Sequence, residues 1–147
     1  MNYETRDTYG MYKVTPSNGA GPSAPHGPGP HLMGANTLVG NDVFNKDHED
    51  LGEVKEIMLD MRSGRVAYAV LSYGGFMGLG EKLFAVPWEA LKLDTVNKRF
   101  VLDVNRERLE SAPGFSKDQW PNMADAGWEK SIHSYYGTQP YMQPPIL

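Results

Sequence analysis

Cysteine is absent from this chain of 147 residues. Disulfides, zinc–thiolate sites and cysteine nucleophiles are therefore excluded. Basic residues are outnumbered by acidic ones, which gives a formal net charge of −4. We expect no nucleic-acid partner, since a general nucleic-acid binder needs a basic face to neutralise phosphates. No segment approaches the roughly 18 apolar residues of a membrane-spanning helix, and no basic patch with an apolar run indicates a signal peptide. We therefore expect a cytoplasmic protein.

Proline and glycine, by contrast, are concentrated near the N-terminus. Residues 16–34 contain ten of them in nineteen positions, which predicts an extended, flexible linker without helix or strand. With the residues before it, this linker forms a predicted tail over residues 1–35. Tyr3, Tyr9 and Tyr12 lie in that tail. They belong either to a disordered terminus or to a short docking peptide.

Short β-strands separated by turn residues are predicted over residues 36–104. Their sequences are TLVGNDVF, LGEVKEIMLD, RVAYAVLSY, KLFAVPW, LKLD and RFVLDV. The apolar positions of the second strand change phase between Val54 and Ile57, which indicates a β-bulge. About six strands at close spacing are typical of a small antiparallel β-barrel or sandwich.

Three residues in this region have predicted structural roles. Gly64 follows Ser63 in a tight hairpin turn. Pro87 ends its strand, because proline cannot donate a ladder hydrogen bond. Trp88 follows directly, and its large ring is expected to close one end of the barrel.

Residues 105–147 are predicted to form a short helical extension rich in aromatic residues. Asn105 and Asp125 are predicted helix N-caps, and Gly137 occupies a C-terminal cap position. The strand over Val66 to Leu71 is apolar on both faces, so an outward face needs cover. We expect that face to hold Ala67, Ala69, Leu71 and Tyr73. We expect the cover to come from the extension of the same chain or of a neighbour, through Phe115, Trp120, Trp128 and Tyr136.

The sequence GGFMGLGEKL, from Gly74 to Leu83, invites comparison with a phosphate-binding loop. The required G-x-x-x-x-G-K-[ST] spacing is broken by Glu81, and Leu83 stands in place of the hydroxyl residue. A strand pattern rather than a helix follows, so no helix N-terminus is expected there to receive a phosphate. The loop is therefore predicted to be a hairpin connection. Its apolar tip residues, Phe76, Met77 and Leu79, either fold back on the barrel or contact a partner.

No motif predicts catalysis or a metal site. The turn NKDHED lacks the glycine that a calcium loop carries at its sixth position, and a solvated turn is the preferred interpretation. No serine lies in a G-x-S-x-G elbow. We therefore expect no catalytic residue, no cofactor and no metal.

Several short motifs together resemble the PRC-barrel family. They are Gly52-Glu53-Val54, the turn from Asp60 to Arg65 with Val66-Ala67-Tyr68 after it, and Val86-Pro87-Trp88. The resemblance covers roughly residues 37–104. The following segment, APGFSKDQWPNMADAGWEKSIHSYYG, is similar to the extension of stand-alone bacterial members.

The resemblance implies a small β-barrel that serves as an assembly or docking module without enzymatic activity. The family is named for the cytoplasmic part of the photosynthetic reaction-centre H subunit, and it is similar to the C-terminal domain of a bacterial ribosome-maturation factor. This chain shows neither the transmembrane helix of the first nor the partner domain of the second. Our main hypothesis is a self-associating interaction module. An adaptor on a larger complex is the alternative, followed by an uncharacterised enzyme or small-ligand carrier.

Overall fold

A computed structural model describes residues 7–12, 29–74 and 81–140 of the chain. The fold is mainly β, with six strands and three short α-helices among these residues. The strands are β1 (Asp42–Phe44), β2 (Asp50–Asp60), β3 (Arg65–Tyr73), β4 (Lys82–Pro87), β5 (Leu91–Asp94) and β6 (Arg99–Leu102). The helices are α1 (Ala35–Leu38), α2 (Arg106–Glu110) and α3 (Ala126–Tyr136), and a 3₁₀ turn, Trp88–Ala90, joins β4 to β5.

The six strands form one curled sheet in the order β4-β3-β2-β1-β6-β5. All neighbours are antiparallel except β1 and β6, which run parallel. The predicted antiparallel β-barrel class is thus confirmed in its main features. The predicted first strand was too long, because Thr37 and Leu38 lie in α1 and only Asp42–Phe44 is paired as a strand.

Strand β2 bends where its sequence changes phase. Its pairing with β3 joins Val54 to Leu71 and Glu56 to Val70, so Lys55 is the extra residue of a bulge. The predicted bulge is therefore confirmed. The backbone is also unusual at Gly52, whose φ is +104° and on which a Cβ atom would lie 2.1 Å from the carbonyl oxygen of Ser72. Only glycine fits this backbone position.

The inner and outer faces of β3 differ from the sequence-based assignment. Ala69 and Leu71 face the main core, together with Phe84 and Val86 of β4. The expected outward orientation of Ala69 and Leu71 was wrong, because alternation cannot distinguish the two faces of a strand that is buried on both sides. Tyr68 occupies the opposite, convex face. Tyr73 is half-buried against the main core.

The convex face is covered by the chain's own C-terminal extension. Tyr68, Ala67 and Ala85 pack with Ile132 of α3, and the ring of Trp128 meets that of Tyr68 edge-on at 5.2 Å. The bulge at Ala67, which the β2 pairing skips, turns this residue to the convex side. The extension also contributes Phe115, Met123 and Tyr136 to this cluster. Trp120 does not join it; its ring packs on Phe115 and stays partly exposed.

The helix ends follow the predicted capping residues. Asn105 Oδ1 accepts the Arg108 backbone N–H at 2.7 Å at the start of α2. Asp125 Oδ1 accepts the N–H groups of Gly127 and Trp128 at the start of α3. Gly137 ends α3 in the left-handed conformation, with φ +71°. These caps satisfy backbone groups that a short helix leaves unpaired, so the predicted boundaries are confirmed.

Candidate interaction surface

The open end of the curled sheet forms an apolar groove with a volume of about 530 Å³. One wall consists of Ile57 and Leu59 of β2 with Val66 of β3, and the opposite wall consists of Leu91 and Leu93 of β5. The segment from Pro30 to Leu38 forms a third side. β1 pairs only with the first residues of β2, up to Glu53, so the part of β2 that carries Ile57 and Leu59 extends beyond β1 and borders the groove.

Trp88 lies in this groove beside Phe100 of β6, with the two rings edge-to-face at 5.7 Å between their centroids. Pro87 ends β4 directly before it, and the 3₁₀ turn of Trp88–Ala90 carries the chain across to β5. The ring is half-buried against the main core. It therefore lies at the open end of the sheet and presents part of its surface to the groove.

Two large apolar side chains on the walls of the groove are exposed. Leu32 is 73% exposed and Leu59 is 52% exposed. Met61, two residues beyond Leu59 at the β2–β3 turn, is 86% exposed. Single exposed apolar residues are ordinary on protein surfaces, but a group of them beside an apolar hollow is typical of a protein-binding surface.

The turn that carries Met61 is held by a buried carboxylate. The side chain of Asp60 is only 4% exposed, and its oxygens accept hydrogen bonds from Arg62 Nε and Nη2 at 3.1 and 2.9 Å. The Asp60 carbonyl accepts the Gly64 N–H at 2.7 Å. Gly64, with φ +77° and open space around its Cα, completes the turn. This bonding orders the hairpin tip, so Met61 projects from a defined backbone.

A second cleft, of about 540 Å³, has an acidic lining. Its carboxylates come from Asp42, Asp50, Glu53 and Glu81, and Arg106 is a basic residue in the same lining. Within the described ranges, no group of three or more histidine and carboxylate side chains is arranged to hold a metal ion. The excess of carboxylates therefore gives this cleft a negative potential.

Two of the described histidines, His133 and His48, serve as packing or turn residues. His133 is buried in α3, its Nδ1 lies 2.8 Å from the Thr138 hydroxyl, and its ring is tilted against that of Tyr68 at 5.6 Å. Burial lowers its pKa below the usual 6.5, although Glu129 and Glu89 act in the opposite direction. The Nδ1 atom of His48, in the NKDHED turn, lies 3.1 Å from Arg99 Nη2.

The NKDHED turn is organised by its asparagine. Asn45 is buried, and its Oδ1 accepts the N–H groups of Asp47 and Glu49, both at 2.9 Å. Its Nδ2 donates to the carbonyl of Val104 at 3.0 Å, which ties the turn to the end of the sheet. Asn45 Nδ2 also donates to Glu49 Oε1 at 2.7 Å, so the amide at the start of the turn and the Glu49 carboxylate hold it together.

The predicted interaction residues fall into two groups. Phe76, Met77, Leu79 and Tyr3 lie outside the described residues. Of the other two tyrosines, Tyr9 is exposed, whereas Tyr12 is 3% exposed and belongs to the main core. The ring of Tyr12 packs into the core of its own chain, and the role of these residues in an interaction stays a prediction.

Sequence reasoning missed Leu32 and Leu59, which line the groove, and the exposed Met61 two residues beyond Leu59. Leu59 and Met61 flank Asp60 at a predicted hairpin turn, where polar residues are usual, and that departure was an available signal. Leu32 offered no signal, since it lies among prolines and glycines. Lys82–Pro87 forms a strand directly after the glycine-rich loop, as the sequence predicted.

A family model for the PRC-barrel domain matches residues 30–109. The chain belongs to the PRC-barrel family. The match covers the whole curled sheet and ends within α2. All described residues that line the groove, Trp88 among them, therefore belong to the matched PRC-barrel domain. Among curated proteins, none matches the chain significantly. No helix in the described parts of this PRC-barrel protein has the length and apolar character required to cross a membrane.

Proposed function

We propose that this PRC-barrel protein is a non-enzymatic interaction and assembly module that associates with a second copy of itself. The observation that carries the proposal is the apolar groove with Leu32, Leu59 and Met61 exposed beside it. Complete burial of a leucine or methionine side chain contributes about 1.5–3 kcal/mol. Each of these residues counts twice in a symmetric dimer, so together they favour association.

A second copy suits this surface in shape and in charge. Met61 projects beside an apolar hollow, so a two-fold axis near Leu59 brings a projection of each copy to the hollow of the other. Among the described residues that line the groove there is no carboxylate, lysine or arginine, so like charges do not oppose the pairing. The acidic cleft, in contrast, repels its own copy. A stable interface of this kind needs to bury about 1,000 Å² or more.

Sedimentation velocity on the purified full-length chain tests the proposal. We expect a dimer at micromolar concentration, and we expect Leu59→Asp with Met61→Asp to give a species near the 16.4 kDa of one chain. Val96→Asp is the matched control, because Val96 is also highly exposed but does not line the groove. A wild-type protein that sediments as a monomer over this range overturns self-association.

A separate double substitution examines the glycine-rich loop. Phe76→Asp with Leu79→Asp is expected to weaken association only if the loop contributes to the same interface. If this pair dissociates the dimer while the groove variant leaves it intact, the loop rather than the groove is the contact surface. The groove proposal is then wrong although self-association is correct.

The volume of the groove favours one further candidate, a carrier of a small apolar ligand. About 530 Å³ falls within the range of roughly 300–1,000 Å³ for ligand sites. Such sites usually also contain a few convergent polar groups that orient the ligand, and here His31 is the only lining residue, among those described, with an ionisable side chain. The interaction module is therefore the better-supported function.

A further inference from the structure

The described N-terminal segment, residues 7–12, is folded as a compact turn by its own aspartate. Asp7 Oδ1 accepts the Met11 N–H at 2.6 Å, and Asp7 Oδ2 accepts the Tyr12 N–H at 3.2 Å. The Gly10 N–H donates to the Asp7 carbonyl at 3.1 Å. This turn places Met11 and Tyr12 side by side, and both are buried against the barrel. Tyr9 of the same turn is exposed.

Tyr12 and Met11 fit into a site bordered by Asn41, Gly29 and Gly34, which we call the socket. The residue that meets the Tyr12 hydroxyl there is polar. The Tyr12 hydroxyl accepts a hydrogen bond from Nδ2 of Asn41, a side chain that is completely buried. Asn41 Oδ1, also buried, has no hydrogen-bond partner within the described residues. A buried amide at the base of an aromatic socket discriminates in favour of tyrosine. A phenylalanine ring there leaves the amide unpaired, at a high cost.

Met11 occupies a second, closely fitted position in the same socket. The Gly34 N–H lies 3.0 Å from Met11 Sδ, and a Cβ atom on Gly34 would lie 3.0 Å from Met11 Cε. A Cβ atom on Gly29 would lie 2.1 Å from the Met11 carbonyl oxygen. Glycines at 29 and 34 therefore provide the space that the methionine and its backbone fill.

The segment and its socket are joined by a long connection in the sequence. Sixteen residues, 13–28, separate Tyr12 from Gly29. Tyr12, directly before the connection, lies in the socket, and Gly29, directly after it, lies against Met11. Both ends of the connection are therefore at the socket. Nothing in this arrangement requires the segment to be covalently continuous with the barrel.

We propose that the PRC barrel contains a peptide-binding site for a Met-Tyr pair, and that its own N-terminal segment is the ligand that fills it. The tethered ligand has an effective concentration of about millimolar, so the site is masked in the free protein. A peptide with an accessible Met-Tyr pair binds when the tethered segment is displaced. This site does not depend on the apolar groove or on self-association.

The test uses the full chain with a protease recognition sequence in place of residues 19–24. After cleavage, we expect the N-terminal fragment to remain with the barrel in size-exclusion chromatography. We also expect a fluorescently labelled peptide of residues 1–18 to bind the cleaved protein at least about tenfold more tightly than the uncleaved protein, as measured by anisotropy. The matched peptides are Tyr12→Phe, expected to bind about tenfold or more weakly, and Tyr9→Ala, expected to bind like the original.

A second measurement needs no cleavage. The intact Tyr12→Ala chain should bind the labelled peptide more tightly than the unaltered chain, because its own segment no longer fills the socket. Circular dichroism shows whether the cleaved protein and the Tyr12→Ala chain are folded, and if only one of them is folded, that one decides the result. Absence of peptide binding to the folded one, or to both where both are folded, overturns the proposal. Equal binding of the original and Tyr12→Phe peptides also overturns it.

Discussion

Truncation of Ile132 to alanine measures how much the C-terminal helix stabilises the barrel. Ile132 is 1% exposed and packs against Ala67, Tyr68 and Ala85 on the convex face of the sheet. The substitution removes three carbon atoms, which at about 0.8 kcal/mol for each buried group corresponds to roughly 2.4 kcal/mol. The cavity left behind adds to this value, so we expect the free energy of unfolding to fall by about 2.5–4 kcal/mol.

Urea unfolding at neutral pH, followed by tryptophan fluorescence and by far-UV circular dichroism, provides the measurement. We expect both signals to shift together to lower urea with an unchanged slope, because α3 and the sheet then unfold as one cooperative unit. Lys130→Ala is the control on the same helix. Its side chain is exposed, so its effect is expected to stay within about 0.5 kcal/mol.

Two results contradict this reasoning. A loss below about 1 kcal/mol means that Ile132 is not packed as described and that the convex face is not covered by this helix. Alternatively, fluorescence that changes at lower urea than circular dichroism means that α3 leaves the sheet before the sheet unfolds. The helix then contributes little to the stability of the barrel.

Three further predictions concern the sheet and its covering helix. Gly52→Ala is expected to destabilise the fold by clearly more than Gly64→Ala, for which about 1 kcal/mol is expected. Both glycines have positive φ, but only at Gly52 would a Cβ atom collide with a carbonyl oxygen, that of Ser72. Equal losses in urea unfolding contradict this close approach. Burial lowers the pKa of His133 in the folded state, so the unfolded chain binds more protons and stability should fall as pH drops below about 6.5. His133→Gln should flatten the slope between about pH 6.5 and 5, and an unchanged slope excludes His133 as its cause. Trp88→Ala should cost about 2–3 kcal/mol, less than the roughly 3–5 kcal/mol of a fully buried aromatic residue, and a loss below about 1 kcal/mol shows that the ring contributes mainly to binding.

Local features of the chain were predictable because they depend on near neighbours. The caps at Asn105 and Asp125 follow from side-chain oxygens placed to accept backbone N–H groups within three residues. The hairpin at Gly64 and the strand end at Pro87 follow from their allowed backbone conformations and missing donors. The phase change after Val54 predicted a bulge, because one extra residue reverses the alternation of a strand.

The choice of face on β3 depended on the tertiary structure. Both parities from Val66 to Leu71 are apolar, so the sequence offered no asymmetry by which to orient the strand. The direction in which the sheet curls, together with the skipped residue Ala67, places Leu71 in the core and Tyr68 under α3. Curl and register arise from contacts between strands that are distant in the sequence, and local patterns do not record them.

The sequence by itself determined a small antiparallel barrel or sandwich with capped helices after it, since alternation, turn residues and caps act over a few positions. The resemblance of its short motifs, in turn, indicated the PRC-barrel family. It did not reveal the socket of Tyr12, because Asn41 lies 29 residues further along the chain. Nor did it reveal the groove, which is a space between β2, β5 and the segment from Pro30 to Leu38. The residues that line the groove come from segments distant in the sequence, so only the folded structure brings them together.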